Sequence, residues 1–214
     1  MKPSVLFFLS FPLWAAMSVA HPGAVDSAGC HVQTTTGKRH CHADRATDRS
    51  RYDEKHPPRA GDEGVFFGPL VSVTDGDTFR ARIQGVEMEF RLADVDAPEF
   101  DQPYGPRARD ELRALLKGRQ LVLVFVDVDR YGRTITDVWA NDVYVNRQMA
   151  ARGAAWFYAH YARNNALFDV EEQARDAKVG LWALPKDQRL EPWIWRERKR
   201  EKMQEPQKGA RNAK

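Results

Sequence analysis

The chain has 214 residues, of which 43% are hydrophobic and 29% are charged, as in an ordinary globular protein. This length suits one domain with appendages. The 33 basic residues barely exceed the 30 acidic ones, giving a formal net charge of +3. Because an architectural nucleic-acid binder is expected to be far more basic, the charge argues against that class of protein.

The N-terminal segment, residues 1–20, has the pattern of a secretory signal peptide. Lys2 precedes an apolar run at 5–16, and Ser18-Val19-Ala20 forms a small-residue cleavage site before His21. The run is short for a membrane span of about 20 residues, and Pro12 interrupts it. We therefore predict a secreted or periplasmic protein without a stable membrane partner; an uncleaved N-terminal anchor is the alternative.

A second segment, residues 21–62, is poor in large apolar residues and predicts a linker or a small stapled module. It contains the chain's two cysteines, Cys30 and Cys41. In an exported protein these would form a disulfide that closes a short loop around Thr36-Gly37. The alternative is a metal site, since the segment offers more than four zinc ligands. Those residues are Cys30, His31, His40, Cys41 and His42.

The next part of the chain alternates apolar and polar residues, which predicts β-strands. A first group of strands lies at 71–73, 79–83 and 86–92, separated by turns at Asp75-Gly76 and Gln84-Gly85. The apolar phase then shifts to Ala93 and Val95, which predicts a bulge that re-aims Asp94 and Asp96. A helix begins at Gly105-Pro106 and ends near Gly118. Further strands follow at 121–126, 134–139 and 143–145.

The C-terminal third predicts two more helices, at 146–152 and 166–178, the first of them placed after a capping-type Asn. The aromatic residues up to Trp195 would anchor this part of the chain on the barrel. Residues 196–214 are rich in Lys and Arg and predict a disordered, solvated tail. Three strands, a helix and further strands fit a small β-barrel with helices, of the α+β class.

The residues suited to chemistry lie in two short segments, 74–78 and 90–99, at the ends of predicted strands. Asp77, Asp96 and Glu99 offer carboxylate oxygens, which hard cations such as Ca²⁺ prefer as ligands. Glu99 is the candidate base that takes a proton from an attacking water. The carboxylates therefore indicate a metal-assisted site.

Two arginines complete this candidate site. Arg91 and Arg133 each carry a planar guanidinium that matches two phosphate oxygens at once. Carboxylates, a cation and two arginines together indicate a phosphodiester site. Replacing either arginine by Ala is predicted to lower turnover by orders of magnitude and to leave the fold intact.

In its motifs DGDTF, FRL, VDAPE and RYGR, the chain resembles the staphylococcal nuclease (thermonuclease) family. The resemblance covers about three fifths of the chain, and the motifs are specific only jointly. The matching residues are Asp77, Arg91, Asp96, Glu99 and Arg133. The resemblance selects the OB-fold, a five-stranded Greek-key barrel, here with about three helices and spanning residues 63–195.

The resemblance also implies an activity: Ca²⁺-dependent endo- and exonucleolytic cleavage of DNA and RNA that leaves 3′-phosphates, by a monomer. Asp77 and Asp96 would bind Ca²⁺ together with the backbone carbonyl of Ala97, where other members of the family have Thr. Arg91 and Arg133 would hold the phosphate, and Glu99 would activate water.

Beside the nucleotide pocket, Tyr131 and Tyr161 match family tyrosines, and Arg130 replaces a lysine. Two other classes of protein stay open at this point. One is a catalytically silent binding module for nucleic acid or protein; the other is an interaction protein that uses the Cys/His segment. The sequence does not distinguish a preference for DNA from one for RNA.

Overall fold

The sheet closes into a barrel because one bent segment of the chain pairs with the strands at both edges of the sheet. The computed structural model describes residues 30–32, 39–41, 52, 56–160, 162 and 166–204. Strand β3 (Val65–Gly68) pairs with β8 (Leu121–Val128), and after Pro69 the chain enters β4 (Leu70–Val73), which pairs with β5 (Thr78–Ile83). The N–H of Arg82 donates to the Pro69 carbonyl at 3.1 Å, joining the two edges at the bend.

The remaining strands complete a ring in the order β3, β8, β9, β6, β5, β4. Strand β6 (Val86–Leu92) lies antiparallel to β5 and parallel to β9 (Thr134–Ala140), which lies antiparallel to β8. With β3 and β4 counted as one bent strand, this is a five-stranded barrel. The short β10 (Val143–Tyr144) adds to β9. The predicted OB-fold and α+β class are confirmed.

The barrel interior is apolar because each strand turns alternate residues inward. Phe79 of β5 and Phe90 of β6 are 0% and 1% exposed and stack with ring centroids 5.6 Å apart. Helix α1 (Gly105–Leu116) closes one end of the barrel by burying Leu112 and Leu116. Burying side chains of this size gains roughly 1.5 to 3 kcal/mol each relative to exposure. This rigid interior fixes where the strand ends lie.

Four α-helices are present in the described part of the chain, one more than predicted. Helix α2 (Val145–Ala151) packs on α3 (Ala166–Asp176), and α4 (Pro192–Gln204) follows two short 3₁₀ turns. Asn146, predicted near a helix cap, is instead fully buried. Its side chain accepts from the N–H of Val138 and donates to the carbonyl of Ala93.

The predicted bulge near Asp94 is a turn. Strand β6 ends at Leu92, Asp94 takes a positive φ of 62°, and a separate strand β7 (Val95–Asp96) begins. Strand β7 leaves the barrel sheet and pairs with β11 (Trp156–Phe157). The shift in apolar phase thus marks a change of sheet, and this change turns Asp96 back toward Arg91.

In the N-terminal segment, the structure describes two antiparallel strands, β1 (Cys30–Val32) and β2 (Arg39–Cys41), with Cys30 opposite Cys41. The predicted signal peptide and His42 lie outside the described residues. Among the described helices, none has both the length and the apolarity that crossing a membrane requires.

The disordered tail predicted from residue 196 is wrong over 196–204, because α4 continues through Gln204. Side chains of its first turns bind Asp96 of β7 and Asp101 in the loop that follows, which gives this polar helix partners that its sequence does not indicate. Residues 205–214 lie outside the described part of the chain.

Candidate active site

The loop between β4 and β5 is built around Asp75. Its Oδ1 accepts hydrogen bonds from the N–H groups of Asp77 and Thr78, at 3.0 and 2.8 Å, which folds the loop back on itself. Asp77 is consequently carried into the protein, where it is 3% exposed. Burial, and then the negative charge of Asp77, raise the pKa of Asp75 to about 7.

Gly76 in this loop has no room for a side chain. A Cβ there would stand 2.6 Å from Cβ of Ala97 and 2.7 Å from Cβ of Ala108 on α1. The close approach brings the Ala97 backbone beside Asp77, and the N–H of Ala97 donates to Asp77 Oδ2 at 2.9 Å. The glycine therefore allows the loop and the segment after β7 to meet.

Arg91 joins the two aspartates of the predicted site. From β6, its Nη1 lies 2.6 Å from Asp77 Oδ1, and its Nη2 lies 2.8 Å from Asp96 Oδ1. Asp96 is fully buried and the Arg91 side chain is only 13% exposed. Opposite charges this close in a water-poor setting interact strongly. The structure thus brings together Asp77, Arg91 and Asp96 as the sequence predicts.

The protonation states in this triad follow from the pairing. Burial would raise the pKa of Asp77, but Arg91 and the N–H of Ala97 hold it below its usual range. Burial would likewise lower the pKa of Arg91, but Asp77 and Asp96 hold it above the ordinary value. Asp77 and Arg91 are therefore both charged at neutral pH.

Arg133 approaches the same site from the loop between β8 and β9. Its Nη1 lies 3.4 Å from Thr78 Oγ1, and that hydroxyl donates to Asp77 Oδ1 at 2.9 Å. The guanidinium also binds Asp129, whose oxygen lies 2.7 Å from Arg133 Nη2. Arg133 is 23% exposed at the side chain, so it can still meet a ligand from solvent.

Arg130 and Tyr131 form the outer part of this loop. The Arg130 guanidinium carbon lies 4.8 Å from the centre of the Tyr131 ring, and its Nη2 donates to the Tyr131 hydroxyl at 2.7 Å. Tyr131 is 69% exposed, and Arg133 also approaches its ring, at 5.5 Å. The two predicted substrate residues thus lie beside the predicted phosphate residue Arg133. Tyr161 lies outside the described residues.

Glu99, the predicted base, is 34% exposed and carries an ion pair that the sequence does not suggest. Arg196 of α4 places Nη1 2.7 Å from Glu99 Oε1 and 3.1 Å from Asp96 Oδ1, and Nη2 2.6 Å from Asp96 Oδ2. Burial would lower the pKa of Arg196, but Asp96 and Glu99 raise it. One guanidinium therefore covers both acidic residues.

Sequence reasoning missed Asp129 and Arg196. Asp129 had a detectable signal, since an Asp that opens a turn and precedes an Arg by four residues often holds the loop and the arginine together. Arg196 had none, because it stands in a run of charged residues whose members look alike in the sequence. Only the packing of α4 selects it.

The residues present fit a hard divalent cation. Asp77 and Asp96 offer carboxylate oxygens on either side of one guanidinium, and the backbone of Ala97 lies alongside. Oxygen donors of this kind suit Ca²⁺. No cluster of three or more His, Cys, Asp or Glu side chains able to hold a metal is found in the described part of the chain. The predicted set needs only two such side chains and a main-chain oxygen.

Comparison with known proteins relates this site to a family. Residues 89–184 match the family model described as Staphylococcal nuclease homologue. The match includes Arg91, Asp96, Glu99 and Arg133, begins after Asp77 and ends before Arg196.

Individual relatives extend the comparison. The chain is 37% identical over 142 residues to the micrococcal nuclease of Shigella flexneri, covering 61% of this chain and 80% of that protein. It is 38% identical over 133 residues to an uncharacterized endonuclease of Escherichia coli O157:H7, covering 62% of this chain and 86% of that protein.

A plant relative matches over a shorter region. A probable staphylococcal-like nuclease of Oryza sativa subsp. japonica is 40% identical over 110 residues, which is 51% of this chain but only 33% of the plant protein. The two bacterial relatives match over most of their own length, and the barrel has the fold expected of the family. This chain is therefore a member of the staphylococcal nuclease family.

Proposed function

We propose that the protein is a nuclease that hydrolyses phosphodiester bonds of DNA and RNA with the help of Ca²⁺ and leaves 3′-phosphate ends. The single observation that carries this proposal is the convergence of Asp77 and Asp96 on Arg91, with Glu99 and Arg133 at the same edge of the barrel. Relatives named nuclease and endonuclease support the same class of reaction.

Asp77, Asp96 and the carbonyl of Ala97 would hold the cation. When bound, Ca²⁺ would neutralise charge on the substrate phosphate and help to orient it. Arg91 bridges the two carboxylates and would offer its guanidinium to the substrate phosphate.

Arg133 would bind the same phosphate from the opposite loop. Because Asp129 fixes the arginine, its charge is oriented before the substrate arrives and stabilises the negative charge that develops on the phosphate oxygens. Arg130 and Tyr131, which are both exposed, would contact the nucleotide beside that phosphate.

Glu99 would take a proton from the water that attacks the phosphorus atom. Its side chain is neither fully buried nor fully solvated, which leaves it accessible to a water molecule. The water oxygen would bond to phosphorus in line with O5′ as the P–O5′ bond breaks, and O5′ would leave with a proton from solvent. The phosphate would then stay on the 3′ end of the preceding nucleotide.

The N-terminal pattern supports export, so we further propose that the protein acts outside the cytoplasm, as a monomer. The register of β1 and β2 supports a disulfide between Cys30 and Cys41, because directly opposed residues of antiparallel strands have Cα atoms about 4.5 to 5.5 Å apart, within disulfide range. Titration of free thiols and assay of bound zinc distinguish this disulfide from a metal site.

The experiment that tests the proposed function is digestion of single-stranded DNA, double-stranded DNA and RNA, in Ca²⁺ and then in EGTA, with analysis of the product ends. Cleavage that requires Ca²⁺ and leaves 3′-phosphates is expected. Failure of the folded protein to cleave any substrate in Ca²⁺ would instead favour the catalytically silent binding module. Deletion of residues 24–60 should leave a nuclease active and would disable an interaction protein that uses this segment.

A further inference from the structure

The C-terminal helix α4 lies against the candidate active site. Trp193 in its first turn stacks on Tyr158 with ring centroids 5.3 Å apart, and Trp195 donates its indole N–H to Asp101 at 3.2 Å. One turn later Lys199 pairs with the same Asp101 at 2.5 Å. These contacts hold the intervening residue, Arg196, over the acidic residues of the site.

Arg196 uses the oxygens that the site needs. Both oxygens of Asp96 accept from its guanidinium, and Oδ1 also accepts from Arg91. Glu99 Oε1 also accepts a hydrogen bond from the Arg196 guanidinium. A guanidinium held bidentate on a buried carboxylate is among the stronger pairs that proteins form. Both oxygens of Asp96 are therefore occupied by arginines, whereas the oxygens of a metal ligand would be occupied by the cation.

The charges show what Arg196 replaces. The site contains three carboxylates, those of Asp77, Asp96 and Glu99, and Arg91 neutralises one of their negative charges. Without Arg196 the group would carry two uncompensated negative charges, the amount that one divalent cation balances. Arg196 supplies part of this balance from within the chain, so cation and arginine compete for the same carboxylates.

We infer that α4 is an autoinhibitory element, in which Arg196 competes with the divalent cation for Asp96 and occupies Glu99, so that the site opens only when Arg196 withdraws. This inference rests on the proposed metal-dependent function. The arginine side chain is 32% exposed, so its head group can move to solvent without unpacking the barrel. Trp193 can keep the first turn of the helix docked while Arg196 leaves and the later turns loosen.

The test is Ca²⁺ binding to the full chain, measured by isothermal titration calorimetry without substrate. Arg196→Gln removes the competing charge and should tighten Ca²⁺ binding by about tenfold, a factor that corresponds to one ion pair of ordinary strength. Arg196→Lys retains the charge but not the bidentate geometry and should lie between wild type and Arg196→Gln. The control Arg198→Gln removes one exposed charge from the same helix and should bind Ca²⁺ as wild type does.

Circular dichroism and thermal unfolding establish that each variant is folded. Equal or weaker Ca²⁺ binding by folded Arg196→Gln would overturn the inference, and weaker binding would make Arg196 a supporting residue of the site. If wild type and Arg196→Gln bind Ca²⁺ equally and both cleave DNA, only the autoinhibition fails. If neither wild type nor Arg196→Gln binds Ca²⁺ or cleaves DNA, the proposed function fails as well.

A second measurement follows the helix itself. Hydrogen exchange across 192–204 should rise when wild-type protein is saturated with Ca²⁺, because the Arg196 contact no longer holds this segment. In Arg196→Gln the exchange should already be faster before Ca²⁺ is added. Exchange in this segment that is the same in both proteins, and unaffected by bound Ca²⁺, would contradict the release of Arg196.

Discussion

Arg133 is held by Asp129 through two nitrogens on one oxygen, with Nε and Nη2 each 2.7 Å from Asp129 Oδ2. Asp129 Oδ1 meanwhile accepts from the N–H groups of Tyr131 and Arg133. One carboxylate therefore fixes both the loop and the arginine it presents. Asp129 is a positioning residue, since it acts on substrate through Arg133 and the loop that carries it.

Asp129→Asn should lower kcat by about tenfold with a smaller change in KM, because a loosened Arg133 loses mainly the interaction made in the transition state. Arg133→Ala should cost more, about 10² to 10³ in kcat. Steady-state kinetics on one DNA substrate check both values. In an Arg133→Ala background, Asp129→Asn should have little further effect. A full additional loss there would show that Asp129 acts independently of Arg133.

The pair of Asp129 and Arg133 also makes the free energy of unfolding depend on pH. Burial would raise the pKa of Asp129, but its hydrogen bonds with Arg133 and the loop N–H groups hold it below the ordinary value of 3.8. The stabilisation is therefore present above that value and is lost as pH falls through the lower folded pKa. Urea unfolding should show Asp129→Asn less stable than wild type by at most about 1 kcal/mol at pH 7, since the pair is partly solvated. This difference should vanish in acid; a difference that grows in acid would contradict the assignment.

Arg91→Ala should reduce stability as well as activity, which differs from the sequence-based expectation that the fold stays intact. The substitution leaves Asp77 and Asp96 buried without their shared counter-charge, and removing one partner of such a group costs about 3 to 5 kcal/mol. Urea unfolding in EGTA measures this loss. Arg80→Ala on the neighbouring strand is the control, because its pairs with Glu87 and Glu89 are exposed and should cost under about 1 kcal/mol. Equal stability of the two variants would contradict the account of Arg91.

Asn146 should be needed for the fold although it lies outside the chemistry. Its fully buried amide bonds Val138, Ala93 and Thr136, and so ties the end of β6 to β9. Asn146→Ala leaves these buried groups without partners and should destabilise the protein by about 2 to 4 kcal/mol.

Gln148→Ala on the same helix is the matched control for Asn146, since among the described residues its side chain makes no hydrogen bond of this kind. Chemical denaturation compares the two variants. If Asn146→Ala unfolds at the same denaturant concentration as Gln148→Ala, the buried hydrogen bonds contribute little.

Glu171 should make the protein more sensitive to rising pH. Burial, opposed by Arg175, raises its pKa above the ordinary value of 4.5. Between that value and the raised folded pKa, the folded state binds the proton more tightly, so stability falls as pH rises through this window. Glu171→Gln should flatten the dependence, whereas Asp169→Asn, on an exposed part of the same helix, should preserve it. Unfolding curves from pH 4 to 8 that are parallel for wild type and Glu171→Gln would contradict this prediction.

Much of the fold could be predicted from local patterns. The alternation of apolar residues located the strands at 79–83 and 86–92, and the Pro and Gly boundaries located α1, because these signals are set by neighbours in sequence. The turn at Asp94 was misread as a bulge. Which sheet β7 joins depends on Trp156 and Phe157, which lie 60 and 62 residues beyond their partners Asp96 and Val95.

The central residues of the candidate site could also be predicted from the sequence, but the contact from α4 could not. Asp77 and Arg91 come together because Asp77 directly precedes β5, which pairs with β6, and the turn at Asp94 brings Asp96 back toward Arg91. The motifs of the family mark all three positions. Arg196 reaches Asp96 from 100 residues away through packing of α4, and no local pattern distinguishes it from Arg198 or Arg200. Long-range tertiary contacts of this kind are what the sequence alone did not reveal.

The most direct test of the proposed active site is the rate of DNA cleavage in Ca²⁺ by Glu99→Gln, with Glu172→Gln as the matched control. If Glu99 activates the attacking water, the first variant should retain the fold and lose about 10² to 10⁴ in kcat, while the control cleaves as wild type does. A folded Glu99→Gln protein that cleaves DNA at the wild-type rate would contradict the account of the site.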